Sequence, residues 1–217
     1  YNLGRETFLV PLQWEENWPV VNPGEGKVLF SQLGPNLPKY AAKIVPVKDD
    51  FSKDSLNFVW NFLRTPRNKF WSLQEHKGFL RLHLLPESIT QLASPAFIGR
   101  RQQDTIFEAT CKMIFDPKNE NESAGMVLLM NNDFHFRFEK VIRNGKGMLV
   151  ITKRHGGVET ILLNEPCENK SIELGVFADG QNYGFKVSLG KNKWKTLLSN
   201  IDGRTLSRNN AGGFTGT

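Results

Sequence analysis

The sequence predicts an all-β fold, built as a two-sheet antiparallel β-sandwich. Polar and apolar side chains alternate in short runs such as Phe134–Glu139, and a period of two places one side of a strand in a core and the other in water. Turn-forming residues separate the runs, as hairpins require. They stand at Asn131-Asn132-Asp133, Asn144-Gly145, His155-Gly156-Gly157 and Asp179-Gly180. Because no segment shows a sustained helical period, we expect roughly ten to fourteen strands from Asp49 onward.

Further runs extend this prediction along the chain. A short strand is expected at about Thr7–Gln13, and the continuous apolar run Ala124–Met130 is typical of a strand buried on both faces. Alternation also occurs at Leu80–Leu84, Phe107–Phe115 and Ile172–Val176. Cys111 lies on the apolar side of its run, so we expect a small buried hydrophobe rather than a reactive thiol.

Composition narrows the class of protein. The chain has 217 residues, of which 39% are hydrophobic and 23% charged, and these values exclude wholesale disorder. The net charge of +6 comes from scattered residues of both signs, which argues against a nucleic-acid partner. No run approaches the length of a membrane span, so no membrane partner is predicted. Two cysteines are too few for a disulfide framework; the compartment stays open, with a periplasmic or secreted location favoured over a cytoplasmic one.

The chain divides into three zones. Residues 1–30 are dense in aromatic and turn-forming residues. Residues 31–48 contain three prolines and no clear periodicity, and are predicted to be a linker. Residues 49–217 hold the alternating runs of the sandwich. Because the chain begins at Tyr1 and ends in a glycine-rich stretch typical of a loop, we expect both ends to belong to something longer and the sandwich to be truncated at its C-terminus.

Common catalytic motifs are not visible. The four histidines have no metal-ligand spacing, and neither a phosphate-binding glycine loop nor a Gly-x-Ser-x-Gly elbow occurs. His135, Arg137 and Glu139 form a polar row on one strand; a solvated strand face is expected, and sugar binding on a concave sheet is the alternative. Arg100–Gln103 is interpreted in the same way, as a strand end with a local charge patch or as a functional site.

The order of several motifs resembles glycoside hydrolase family 43, in its β-xylosidase and α-L-arabinofuranosidase members that carry a C-terminal sandwich. The matching segments are Leu3–Leu9 with Pro11, Trp14 and Trp18-Pro19, then Phe58–Trp60, Leu63–Pro66, Trp71–Leu73, Gly78–Leu82, Phe97–Gln103, Ser123–Met126 and Gly213–Gly216. The resemblance covers nearly the whole chain. It implies a concanavalin-A-like jelly roll over 49–217 with an N-terminal extension, in which residues 1–30 are the tail end of a missing five-bladed propeller.

The resemblance also implies a mechanism. Enzymes of this family are inverting glycosidases, in which one carboxylate activates water and a carboxylic acid about 6.5–9.5 Å away protonates the leaving oxygen. The family places these groups, with a third carboxylate, on propeller strands that precede this sequence. We therefore predict no catalytic residue, no metal and no cofactor in this chain. A structural calcium ion with Asp49 or Asp50 as ligands is conceivable, but two adjacent aspartates are a weak signal.

Two residues match family positions that reach the sugar pocket. Arg5 corresponds to the arginine of the Gly-Arg-Glu-Thr motif, where a guanidinium donates to sugar hydroxyls; an ordinary ion pair at a blade edge is the alternative. Phe214 corresponds to the ring that the sandwich extends to wall the sugar site; a core ring is the alternative. Some members carry two adjacent phenylalanines, whereas Gly213 precedes Phe214 here, so one wall contact is expected to be absent.

The resemblance therefore implies the C-terminal part of a xylan 1,4-β-xylosidase or α-L-arabinofuranosidase. Its sandwich would complete and close the pocket, and the chain alone would be inactive. The expected partners are the missing propeller domain and a xylo- or arabino-oligosaccharide. A non-catalytic carbohydrate-binding module remains the alternative, and a purely structural sandwich a third.

Overall fold

The computed structural model describes residues 2–5, 7–40, 48–190, 193–213 and 216–217. The described residues fall into two compact units. One unit contains residues 5–49, and the other contains residues 2–4 together with residues from 50 to the C-terminus.

The 5–49 unit contains one hairpin. Its strands are β1 (Leu12–Glu15) and β2 (Trp18–Val21). The two turn residues Glu16 and Asn17 have φ values of 48° and 64°, the conformation that two-residue hairpin turns need. The prediction of one strand at Thr7–Gln13 is wrong: the strand starts at Leu12, and β2 was missed because it contains Pro19. Both strands of a two-stranded sheet are edges, where proline is tolerated.

The larger unit is a sandwich with small additional sheets. Its strands are β3 (Asn61–Phe62), β4 (Trp71–Ser72), β5 (Arg81–Leu82), β6 (Ile98–Gly99), β7 (Ile106–Ile114), β8 (Ser123–Asn131), β9 (Phe134–Arg143), β10 (Lys146–His155), β11 (Val158–Pro166), β12 (Ser171–Asp179), β13 (Asn182–Ser188) and β14 (Trp194–Asp202). One four-stranded antiparallel sheet has the order β11-β10-β9-β8, and another has the order β14-β13-β12-β7. Two short pairs, β3 with β6 and β4 with β5, complete the described strands.

The core lies between the two four-stranded sheets. Phe136 and Phe138 of β9 point inward, and both lie against Phe185 of β13, with ring centroids 6.1 Å and 5.8 Å apart. All three side chains have at most 1% of their surface exposed. Rings from both sheets thus fill one layer, so the predicted antiparallel sandwich is confirmed, with twelve described strands from Asn61 onward.

The hairpin turns are located as the sequence predicts. Asn144 and Gly145 have φ values of 50° and 73°, and Gly156 and Gly157 have 59° and 81°, the left-handed values of two-residue hairpin loops. Cys111 packs against the core, and burial raises the pKa of its thiol to about 11. The helices in the described segments are a 3₁₀-helix at Gly203–Leu206 and the four-residue α-helix α1 at Arg208–Ala211. No helix there is long and apolar enough to cross a membrane.

Two strand predictions need correction. The alternating run Leu80–Leu84 forms only the two-residue strand β5, and Leu82 and Leu84 stay 41% and 47% exposed. Alternation without a neighbouring sheet to cover it does not produce a buried strand. Ala124–Met130 lies within β8, but its side chains are half-buried rather than enclosed on both faces.

Candidate functional site

The two ends of the chain meet on the larger unit. The Thr217 backbone N–H donates to the Asn2 carbonyl over 2.8 Å, and the Thr217 hydroxyl donates to the same oxygen over 3.0 Å. Gly216 passes so close that a Cβ there would lie 2.4 Å from the Leu3 carbonyl carbon. Only glycine permits this approach, which explains why the last residue of the Gly213–Gly216 motif is a glycine.

Asn2 and Tyr183 form a buried hydrogen-bonded cluster beneath these ends. The Asn2 amide donates to the Tyr183 hydroxyl over 2.9 Å and to the Gly203 carbonyl over 3.0 Å. The Tyr183 hydroxyl donates to the Gln102 side-chain oxygen over 3.1 Å. Tyr183 is fully buried and Asn2 is 3% exposed. The cluster therefore fixes the segment 2–4 to strand β13 through bonds that are shielded from water.

The segment that follows β6 also forms hydrogen bonds with the C-terminal residues. Arg101 donates to the Gly216 carbonyl over 2.7 Å, and the Gln102 backbone N–H donates to the Thr217 carbonyl over 3.1 Å. The sequence predicted a strand end with a charge patch at Arg100–Gln103, with a functional site as the alternative; in the structure, Arg101 and Gln102 bind the backbone of Gly216 and Thr217. Asn2, Gln102 and Tyr183 were missed because nothing in the sequence pairs residues 181 positions apart.

The predicted pocket residues stand beside this cluster in sequence. Arg5 is exposed and follows Gly4, whose φ of 88° is left-handed. Phe214 lies outside the described residues, between Gly213, with φ of 83°, and Gly216. The structure brings together the segment that ends at Gly4 and the segment that begins at Gly216. It thereby joins the backbones that lead to both predicted positions.

The groups of the Asn2–Tyr183 cluster are suited to fixing the two chain ends in position and not to transferring protons. Burial raises the pKa of the Tyr183 hydroxyl, although the hydrogen bonds with Asn2 and Gln102 oppose this rise. A phenol with a raised pKa stays protonated at neutral pH. The other groups are amides and main-chain atoms, which keep two segments in register.

The polar row on β9 is not the solvated face that the sequence predicts. His135 has no exposed surface, and its burial lowers its pKa to about 4. Arg137 forms ion pairs of 3.2 Å with Glu139 and 2.8 Å with Glu159, and Arg154 also reaches Glu159, at 3.3 Å. These charges neutralise one another, because a half-covered sheet face disfavours an unpaired ion.

Candidate metal ligands are not clustered in the described part of the chain. Nowhere there do three His, Cys, Asp or Glu side chains group closely enough to hold a metal ion.

Comparison with known proteins identifies relatives over nearly the whole chain. The family model described as β-xylosidase C-terminal concanavalin A-like domain matches residues 48–217. A protein of Bacteroides ovatus named non-reducing end α-L-arabinofuranosidase is 37% identical, over 99% of this chain and 40% of its own length. A xylosidase/arabinosidase of Butyrivibrio fibrisolvens is 34% identical, over 99% of this chain and 42% of its own length.

Solved structures agree with these matches. The xylan β-1,4-xylosidase of Bacillus halodurans superposes with a TM-score of 0.89 at 29% identity, covering 98% of this chain and 42% of that one. The GH43B protein of the Bacteroides ovatus xyloglucan locus gives 0.87 at 35% identity, covering 98% and 42%. The chain thus spans about 40% of the length of the curated relatives that it matches.

Proposed function

This chain belongs to the family of β-xylosidase C-terminal concanavalin A-like domains found in family 43 glycoside hydrolases, and we propose that it serves as the C-terminal part of an exo-acting enzyme that removes terminal xylose or arabinose. In this proposal the sandwich completes and closes a sugar pocket built mainly by an upstream propeller domain. The hydrolysis is inverting, and the upstream domain supplies the carboxylates.

The observation that carries this proposal is the joining of the chain ends by Asn2 and Tyr183. A pocket assembled from two domains works only when the contributing segments are held in fixed positions. The buried cluster holds the backbone at Asn2, three residues before Arg5, and at Thr217, three residues after Phe214. Arg5 would donate to sugar hydroxyls, and Phe214 would cover one face of the ring and exclude water.

The apolar surface of the 5–49 unit supports the same proposal. Trp14 and Trp18 are 70% and 73% exposed, and Phe30 and Leu33 are more than 90% exposed. Large exposed apolar side chains grouped in one segment are typical of an interface. The occupant that we propose is the upstream domain of the same protein, because relatives contain more than half their length beyond the matched region.

The test uses a protein extended to include the upstream domain, assayed with aryl β-xylopyranoside and aryl α-L-arabinofuranoside. Arg5→Ala and Phe214→Ala should each lower kcat/KM at least about tenfold, since both groups would touch the sugar. The 217-residue chain alone should hydrolyse neither substrate. Lys146→Ala, at an exposed hairpin position, is the matched control. Wild-type activity in both pocket variants would refute pocket closure.

A further inference from the structure

A cavity of about 390 Å³ lies in the larger unit, between the loops 64–68 and 85–94. Its volume falls in the range of about 300–1,000 Å³ typical of small-molecule sites. Phe70 forms part of its lining and is only 3% exposed, with its ring packed edge-on against Phe62 and Trp71. The rest of the apolar lining consists of Pro66, Leu85, Pro86, Leu92 and Ala93.

The walls of this cavity are fixed by hydrogen bonds. Arg64 donates to the Ala93 carbonyl and, over 2.8 Å, to the Asn132 side-chain oxygen. Asn132 donates in turn to the carbonyls of Ile89 and Gln91. The loop 85–94 is thereby anchored to the turn between β8 and β9. A preorganised wall lowers the entropy lost on binding.

Three polar side chains of the lining remain available for a ligand. Arg67, Asn68 and Glu87 are exposed, and their side chains form no hydrogen bond or ion pair with any described residue. Arg67 and Asn68 offer donors, and Glu87 offers acceptors. Donors and acceptors around an apolar floor match a sugar ring, whose hydroxyls both donate and accept and whose carbon face is apolar.

We propose that this cavity, whose lining includes neither Arg5 nor Phe214, binds a neutral oligosaccharide segment. The two exposed charged side chains of the lining, Arg67 and Glu87, have opposite signs, so together they favour an uncharged sugar over a uronic acid. The site would hold a stretch of polysaccharide near the enzyme, so it acts by raising local substrate concentration. The choice of sugar rests on the proposed function, whereas the cavity and its polar lining do not.

The test titrates the full 217-residue chain with xylotetraose, arabinotetraose and a glucuronate-substituted xylo-oligosaccharide, by calorimetry and amide chemical shifts. At least one neutral oligosaccharide should bind and should shift amides of residues 64–68 and 85–94. Arg67→Met and Glu87→Gln should each weaken that binding at least about tenfold, since each removes a charged hydrogen bond. The matched control, Lys77→Met at an exposed position outside the cavity, should bind as the wild type does.

Three outcomes would overturn this inference: no binding of either neutral oligosaccharide, equal binding by all variants, or tighter binding of the glucuronate-bearing ligand. Both cavity substitutions are at exposed positions, and unchanged thermal unfolding would verify that the variants fold. Because the chain alone is assayed for binding and not for hydrolysis, failure here leaves the proposed pocket closure standing. Likewise, a failure of the pocket-closure test in the extended protein would leave the binding of oligosaccharide in the cavity standing.

Discussion

The sandwich and the 5–49 unit treat their aromatic residues in opposite ways. In the sandwich, Phe136, Phe138 and Phe185 have at most 1% of their surface exposed. In the 5–49 unit, Trp14 is 70% exposed and Phe30 is 92% exposed. The first region therefore obtains its stability from its own core, whereas the second exposes apolar side chains of the kind found at interfaces.

This difference in burial distinguishes aromatic side chains that stabilise the sandwich itself from aromatic side chains that we expect to contact another domain. A region that buries its own rings should respond strongly to truncation of any one of them. In a region whose rings are exposed, truncating one ring should change the free energy of unfolding little, unless a partner domain buries that ring. The following expectations test that contrast, from the largest effect to the smallest.

Truncating a sandwich ring should give the largest loss of stability. Phe138→Ala removes a fully buried ring that packs against Phe185, and should lower the free energy of unfolding by about 3–5 kcal/mol. Phe30→Ala, at a 92% exposed position, should change it by less than about 0.5 kcal/mol. Urea unfolding of both variants measures the difference. Equal losses would break the contrast between the two regions.

Acid should destabilise the sandwich through His135. Burial lowers the pKa of this imidazole from 6.5 to about 4, so the folded state holds the neutral form. Stability from this group is complete above pH 6.5 and is lost as the pH falls from 6.5 towards 4, by about 3 kcal/mol in total. Unfolding followed across this range should show a smaller slope in His135→Gln. His76→Gln, at an exposed position, should keep the wild-type slope.

Removing one hydroxyl should loosen the joined chain ends. Tyr183→Phe deletes the group that accepts from Asn2 and donates to Gln102, and leaves buried polar atoms unpaired at a cost of about 1–3 kcal/mol. Amide exchange at Thr217, whose N–H donates to Asn2, should become faster. Tyr40→Phe, at an 84% exposed position in the 5–49 unit, is the matched control and should change neither quantity. Unaltered exchange in Tyr183→Phe would argue against the cluster as the element that holds the ends.

The sandwich could be predicted from the sequence because its evidence is local. Alternation in Phe134–Glu139 and left-handed turn residues such as Asn144-Gly145 identify strands and hairpins without knowledge of their neighbours. The run Leu80–Leu84 has the same alternation, yet it forms only a two-residue strand. Pattern alone therefore gives the propensity for a strand, while the presence of a neighbouring sheet decides its length and burial.

The candidate site was harder to predict because its contacts are long-range. Arg5 and Phe214 came from a motif resemblance, and their pocket roles stay predictions. Asn2 and Tyr183 meet across 181 residues, and no local pattern indicates which buried tyrosine will bind a chain end. His135 was expected to be solvated because period two cannot tell a wet sheet face from a covered one.

The smallest effect on the chain alone should come from its exposed tryptophans. Trp14→Ala and Trp18→Ala remove rings that are 70% and 73% exposed, so each should change the free energy of unfolding by less than about 0.5 kcal/mol. In a protein that includes the upstream domain, the same substitutions should destabilise by about 2 kcal/mol or more, because burial of a large aromatic side chain is then lost. Acrylamide quenching supplies an independent readout: these tryptophans should be accessible in the chain alone and protected in the extended protein. Leu92→Ala, at an 88% exposed position of the larger unit, is the control and should have the same small effect in both proteins. If the tryptophans stay equally accessible with and without the upstream domain, that domain does not cover the exposed surface of the 5–49 unit. The difference in aromatic burial between the sandwich and this unit would then not reflect an interface with the upstream domain.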